Sequence, residues 1–469
     1  MEQASVSPLM HDLKKRPIWA DPRAYIVSGA IFLLFLLAAK LFGVSLLLPV
    51  ALIAGVAGIV ALYRSPLVLL ATLIVIRMSL DYSSQYVTLT LFERTFSLSQ
   101  LLGIGIAGLG ILFILLNIRT LGRYTMIAPY GLIILWGLGT LLYSIAPSTS
   151  AQEALRIFDL FVVGFMAYAS VERYRDFRIL LMAIFVSSLL PILFGLYQFA
   201  FGIGLTDENV SVLRIFGTFS HPNVFSLYLF TVAAVATIYL IVYARKDGAR
   251  LLTLLYIGLV LFTLFLTFAR IAWISLFVFL FFLAWWRFRF LILPLILLPI
   301  VLTVFVPAIN QRVTEALNPT PDSSITWRQN LWHDMILKTR LEERIRFGSG
   351  LDTFRISSEQ LRGDRFGSNE PHNDFVKFYV EGGLVGLGVF ILYLIAFAFP
   401  ALQVKRLSPS HSLKNMAILL LLLIATLVIA SLSDNVFKNT PVQWILSIVM
   451  GGFLSLFHYS LPRELQNTY

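Results

Sequence analysis

No cysteine occurs among the 469 residues, which excludes disulfides, thiol nucleophiles and thiolate metal sites together. The six histidines (His11, His221, His333, His372, His411, His458) are scattered rather than paired at metal-ligand spacing, and no Gly-rich phosphate loop is present. Zinc hydrolysis and ATP-driven transport therefore have no motif behind them. Charge is scarce as well: 13% of residues are charged against 58% hydrophobic, with a mean hydropathy of +0.84. Soluble domains do not tolerate that balance, so the apolar surface belongs in a bilayer.

Apolar runs of about 20 residues, enough to cross roughly 30 Å of hydrocarbon, recur along the whole chain. No alternating barrel pattern accompanies them, so they are helices that satisfy their own backbone. The expected class is all-α and polytopic with about 12–14 spans, drawn near 25–41, 44–62, 65–80, 99–117, 126–146, 157–171, 178–202, 223–243, 251–268, 271–286, 290–306, 374–400, 415–432 and 441–461. The first run carries Lys40 and leads straight into a second, unlike a cleavable signal. Lys and Arg concentrate before the first span and on every second connection after it: Lys14, Lys15, Arg16, Arg23; Arg64; Arg119, Arg123; Arg173, Arg175, Arg178; Arg245, Lys246, Arg250; Arg287, Arg289; Lys405, Arg406, Lys414; Arg463. The alternation puts both termini in the cytoplasm. It also accounts for the net charge of +11 without nucleic-acid binding.

The chain then divides into amino-terminal helices (1–306), one long external loop (307–373) and carboxy-terminal helices (374–469). Within the loop, Trp327, Leu331, Trp332, Met335, Ile336 and Leu341 recur at helical spacing among charges, which predicts an amphipathic helix lying on the membrane or roofing a cavity. Gly348-Ser349-Gly350 reads as a flexible turn. The loop closes on Pro371-His372-Asn373-Asp374, and Glu381-Gly382-Gly383 follows, small residues suited to close helix packing. On the other outer connections stand Arg214, within Arg214-Ile215-Phe216-Gly217-Thr218-Phe219-Ser220-His221-Pro222-Asn223, and Arg270 at the start of a span. Bland readings accompany each: snorkelling for Arg270, an ion pair with Asp207 or Glu208 for Arg214, and a turn or capping role beside Pro222 for His221.

In this order, the Arg214 to Asn223 stretch, Arg270, Trp327-Arg328 with Trp332, Gly348-x-Gly350 with Phe354, and Pro371-His372-Asn373-Asp374 with Glu381-Gly382-Gly383 resemble the O-antigen ligase family, which also includes polymerase-like members. The similarity is strongest over 180–430. It implies a metal-independent, inverting glycosyltransferase of the bacterial inner membrane, working on its periplasmic face without a cofactor. The donor would be an undecaprenyl-diphosphate-linked glycan and the acceptor a sugar hydroxyl on a lipid A-core or another glycan; the remaining partners are membrane lipids. Guanidinium groups bind phosphate oxygens in bidentate fashion, so Arg214 and Arg270, with Arg328, are expected at the diphosphate. Imidazole has the right pKa range for a base, so His372 is expected to activate the acceptor, with Asn373 and Asp374 orienting it and His221 secondary. A repeat-unit polymerase would use the same donor. A lipid-linked glycan flippase ranks below both, because a flippase would place charge through the membrane depth, whereas Lys40 and Arg77 are the main charges within spans.

Overall fold

Polar caps and prolines punctuate the apolar runs and set where each helix begins. The computed structural model describes residues 47–79, 88–91, 94–207, 212–320, 323–363 and 368–461. The expected span at 25–41, the amino-terminal basic residues, Glu208 and the Asp207 side chain lie outside that description. Contacts divide the chain into two units, and in the first α1 (Leu47–Arg64) accompanies residues 89–96. Two short strands, β1 (Thr88–Leu91) and β2 (Arg94–Ser97), pair in a two-stranded sheet.

The second unit begins with α2 (Pro66–Ser79) and α3 (Leu98–Leu116). Ser97 caps α3 through its hydroxyl, which accepts from Gln100 N at 3.3 Å, while the Gln100 side chain returns to Ser97 N at 2.9 Å, a reciprocal box that satisfies two orphan donors. There follow α4 (Ile118–Leu121), α5 (Ile127–Thr140), α6 (Pro147–Ser170) and α7 (Tyr174–Ala200). An antiparallel hairpin, β3 (Leu205–Asp207) and β4 (Val212–Arg214), leads to α8 (Pro222–Val242), α9 (Asp247–Phe265) and α10 (Arg270–Arg287). After these come α11 (Ile292–Phe305), α12 (Pro307–Leu317), α13 (Ser324–Leu341) and α14 (Phe354–Arg362). The chain closes with α15 (Asp374–Leu407), α16 (His411–Ala430) and α17 (Thr440–Ser460).

Each expected span within the described residues is a helix, and the protein is an all-α multi-pass membrane protein. Eight of the described helices (α3, α7, α8, α9, α10, α15, α16, α17) are long and apolar enough to cross a bilayer. Shorter apolar helices stand where 44–62, 65–80 and 126–146 were drawn, and the 290–306 run bends by 100° into α12. Helix α17 is the centre, with 94% of its apolar window buried. It crosses α6 at Gly164 and Gly451, where a Cβ on Gly451 would collide with the Gly164 carbonyl, so only glycine lets the two backbones approach.

The 307–373 stretch folds as α12, α13 and α14, and α13 docks rather than lying free. Its Leu331 and Met335 are fully buried with Phe354 of α14 and Val380 of α15, each such side chain contributing about 1.5–3 kcal/mol when removed from water. Two glycine readings change in the fold. Gly348-Ser349-Gly350 is a packed seat: Ser349 N and Gly350 N donate to the Val380 and Glu381 carbonyls at 3.1 and 2.8 Å, and a Cβ on Gly348 would strike the Glu381 backbone. Gly383 adopts φ 61° and breaks α15, freeing Leu384 N and Val385 N to donate to the Ile345 and Arg346 carbonyls at 2.8 and 3.2 Å. Glu381 completes the seat, accepting from Asp352 N at 2.9 Å, Phe354 N at 3.2 Å and Lys377 Nζ at 2.8 Å. The small residues thus serve a loop-to-helix junction as well as helix contact.

Candidate active site

His372 sits just before α15 with φ 46°, a left-handed conformation that costs a non-glycine residue about 1–3 kcal/mol unless its surroundings enforce it. They do so from three sides. Trp332 of α13 donates its indole N–H to the Pro371 carbonyl at 2.6 Å. Asn373 Nδ2 donates to the Leu432 carbonyl at 2.9 Å, and Asp374 N to the Ser431 carbonyl at 2.9 Å. The Trp327 ring stands edge-on to the imidazole with centroids 6.5 Å apart. The imidazole is held in place before any substrate arrives.

Its partner is a residue that the sequence did not single out. His372 Nδ1 lies 3.3 Å from Asp434 Oδ1, on the turn between α16 and α17. Burial works to raise the Asp434 carboxyl, but the hydrogen bond and charge of His372 and the charge of Arg328 outweigh it and hold it at about 2. An ionised Asp434 keeps the Nδ1 proton on the ring, so Nε2 is the acceptor. The expected orienting residues are engaged elsewhere: Asn373 caps α15 by accepting from Phe375 N and Val376 N at 2.9 and 3.1 Å, and Asp374 is fully buried, accepting from Phe437 N at 2.9 Å. Both hold the 431–439 turn, which carries Asp434, against the start of α15. Arg156 braces the same turn, donating to the Phe437 carbonyl at 3.0 Å while a bidentate pair of 2.6 and 2.7 Å ties it to Glu153.

The arginines gather around this dyad. Arg328, on the first turns of α13, donates to the Ser433 carbonyl at 3.1 Å, next to Asp434. Burial lowers its guanidinium below the ordinary range, against the opposing pull of Asp434 and Glu315. Arg214 donates to the Thr267 carbonyl at 3.0 Å and to Asn223 Oδ1 at 2.7 Å, fastening the β4 end to the turn before α10. That turn contains Phe268 at φ 48°. Arg270 follows it and donates to Ser324 Oγ at 2.8 Å, at the start of α13. It also meets Glu315 Oε2 at 3.3 Å, an oxygen it shares with Arg312 at 3.3 Å.

His221 joins the two halves. It caps α8, its Nδ1 accepting from Asn223 N at 3.1 Å. Burial, reinforced by the Arg214 charge, pushes its imidazole down to about 4, and Asp434, His372 and Arg328 all lie near enough to act on it. The turn and capping reading is the one seen, at a position inside the cluster. Among the described residues, the connections at 212–221, 266–269, 307–373 and 431–439 thus bring Arg214, Arg270, Arg312 and Arg328 to the same side as His372, with Glu315 and Asp434 among their neighbours. Several guanidiniums in one place suit a polyanionic ligand. Beside Glu315 opens a groove of about 730 Å³ along α12, and a separate apolar cavity of about 380 Å³ lies between α10 and α11, lined by Leu280, Leu283, Leu295 and Leu298 among others.

Sequence reasoning singled out neither Asp434 nor Arg312. The one signal available for Asp434 is a carboxylate on the short polar connection between two apolar runs, and nothing local links it to His372. Residues 255–391 match the family model described as O-antigen ligase. Arg270, Arg312, Glu315, Arg328, His372, Asn373 and Asp374 fall within that stretch; Arg214, His221 and Asp434 fall outside it. No curated protein matches the chain.

Proposed function

We propose, from the match of residues 255–391 to the O-antigen ligase family model, that the chain transfers a glycan from undecaprenyl diphosphate to a sugar hydroxyl of a lipid A-core. The observation that carries this reading is the His372–Asp434 dyad at 3.3 Å, with Arg328 bonded to the carbonyl next to Asp434. The acceptor oxygen attacks the anomeric carbon as the bond from that carbon to the diphosphate oxygen breaks, inverting the centre. The electron pair leaves with the diphosphate, and the hydroxyl proton passes to His372 Nε2. Asp434 stabilises the imidazolium through Nδ1, the role a buried carboxylate plays beside a catalytic base.

Arg270, Arg214 and Arg328 would meet the charge that grows on the departing diphosphate, a preorganised electrostatic contribution that commonly exceeds proton transfer. No divalent cation is needed in this scheme. In the inner membrane, with the termini cytoplasmic, the dyad would face the periplasm, where lipid-linked glycans are presented.

The test is transfer by purified protein from a defined lipid-linked donor to lipid A-core, with products separated by length. His372→Ala and Arg270→Ala are expected to abolish transfer while the proteins remain inserted and monodisperse. His372→Asn, which tolerates the left-handed backbone better, serves as the control for folding. Wild-type-like transfer by both His372 variants removes the base from the mechanism. A single product supports the ligase, and a length series the polymerase.

A further inference from the structure

Beside the dyad lies a group of ion pairs that the transfer scheme leaves unused. Asp352 follows the Gly348-Ser349-Gly350 seat at φ 57°, and its Oδ1 meets two ammonium groups, Lys377 Nζ at 3.1 Å and Lys438 Nζ at 3.2 Å. Lys438 also reaches Glu370 Oε1 at 3.3 Å. Burial works against the charge on Lys438, but Asp352 and Glu370 outweigh it and hold the ammonium above its ordinary range. Both carboxylates therefore face a lasting cation. Glu370 stands two residues before His372, and Lys438 four residues after Asp434. The two segments are joined by Glu370–Lys438, His372–Asp434 and Asn373–Leu432, one number rising as the other falls, so they run in opposite directions. Among the described residues, Lys438 Nζ is the atom of these contacts that continues to a third segment, at Asp352.

We propose that Lys438 is a positioning residue for transfer: it fastens the segment that enters His372 and the turn that bears Asp434 to the seat, and so sets the separation of the dyad. The proposal rests on the reading of His372 and Asp434 as the groups that move the acceptor proton, and adds a residue that acts through them. The seat is a fixed point, because Asp352 N donates to Glu381 Oε2 at 2.9 Å, Lys377 Nζ meets the same oxygen at 2.8 Å, and Glu381 is fully buried. The dyad has little tolerance. At 3.3 Å it lies beyond the 2.7–2.9 Å of strong charge-assisted bonds, and an opening of about 0.3 Å takes it past the limit of a side-chain hydrogen bond. Trp332, Asn373 and Arg328 tie the same segments at single carbonyls, those of Pro371, Leu432 and Ser433. Lys438 adds the link to the seat, and an ammonium with three donors can hold both carboxylates at once.

The experiment measures transfer by the full-length protein in proteoliposomes, from an undecaprenyl-diphosphate-linked oligosaccharide to lipid A-core, together with the histidine ring signals of nitrogen-labelled protein by solid-state NMR. Lys438→Met is expected to lower kcat about tenfold with both KM values unchanged, within the roughly hundredfold that a misplacement of about 1 Å can cost. In the Asp434→Asn background the same change is expected to cost under about twofold, because a residue that acts through the dyad then has nothing left to position. Lys438→Arg, which keeps the charge and offers N–H groups to both carboxylates, is expected to recover most of the rate. Glu370→Gln is expected to show the same non-additivity with a smaller loss, and stands in if Lys438→Met does not insert. Losses that multiply in the double variant, or equal rates for Lys438→Arg and Lys438→Met, would overturn the proposal. The His372 signal, identified as the one lost in His372→Asn, reads the ring without substrate: Lys438→Met is expected to move it in the direction that Asp434→Asn does, and an unmoved signal overturns the proposal as well. No transfer by the wild-type protein from this pair is a failure of the proposed reaction, and the His372 signal still decides whether Lys438 sets the dyad.

Discussion

Replacing Asp434 by Asn removes one charge and almost no volume from the centre of the site. The carboxyl is held at about 2 against an ordinary 3.8, a difference that corresponds to about 2 kcal/mol of net attraction for the ionised form. Burial opposes ionisation, so the gross attraction from His372, Arg328 and the Asn435 N–H is larger than this net figure. That attraction sets the scale of what the Asp434 charge contributes when positive charge develops on the adjacent ring during transfer. Losing about 2 kcal/mol slows transfer by roughly 30-fold. If the Asn amide instead donates to Nδ1, the ring is fixed in the tautomer that protonates Nε2, and the loss approaches the roughly 10⁴-fold of an analogous carboxylate-to-amide change in a serine protease. The assay is initial-rate transfer at saturating lipid-linked donor and acceptor, with KM for each measured separately. The expected outcome is a fall in kcat of at least about tenfold with both KM values little changed. A kcat within twofold of wild type would refute the dyad, and a change confined to KM would make Asp434 a substrate-binding group.

Three further outcomes are expected. His221 is held neutral in the fold down to about 4 while an unfolded histidine takes its proton near 6.5, so the unfolded chain binds more protons over that interval and stability falls as pH drops from about 6.5 to 4. Thermal midpoints across that range should show the loss, and His221→Asn, which keeps a cap acceptor, should flatten it. Gly348→Ala places a methyl against the Glu381 backbone and should reduce the yield of inserted, monodisperse protein, as measured by size-exclusion chromatography, whereas Gly363→Ala meets no neighbour within 4 Å and should cost only the strain of its positive φ. Chelation with EDTA should leave transfer intact; a strict requirement for an added divalent ion would contradict the arginine-only account of the diphosphate.

The sequence by itself determined the membrane class, the helical spans and the segment in which His372 lies. Hydropathy and prolines act within one helix length, so the spans drawn from 99, 223 and 374 begin within about one residue of α3, α8 and α15. The amphipathic pattern of α13 was equally local, although which surface would cover Leu331 and Met335 was not. Tertiary structure decided the neighbours. His372 and Asp434 are 62 positions apart, Arg328 and Ser433 105, and Arg270 and Ser324 54; no periodicity carries information over such separations. The same holds for Gly348-Ser349-Gly350, where composition suggested freedom and the backbone of α15 supplied a seat. Charge placement in a bilayer protein is settled by which connections meet once the spans have packed, and packing depends on side-chain fit between helices that the hydropathy of each helix alone does not encode.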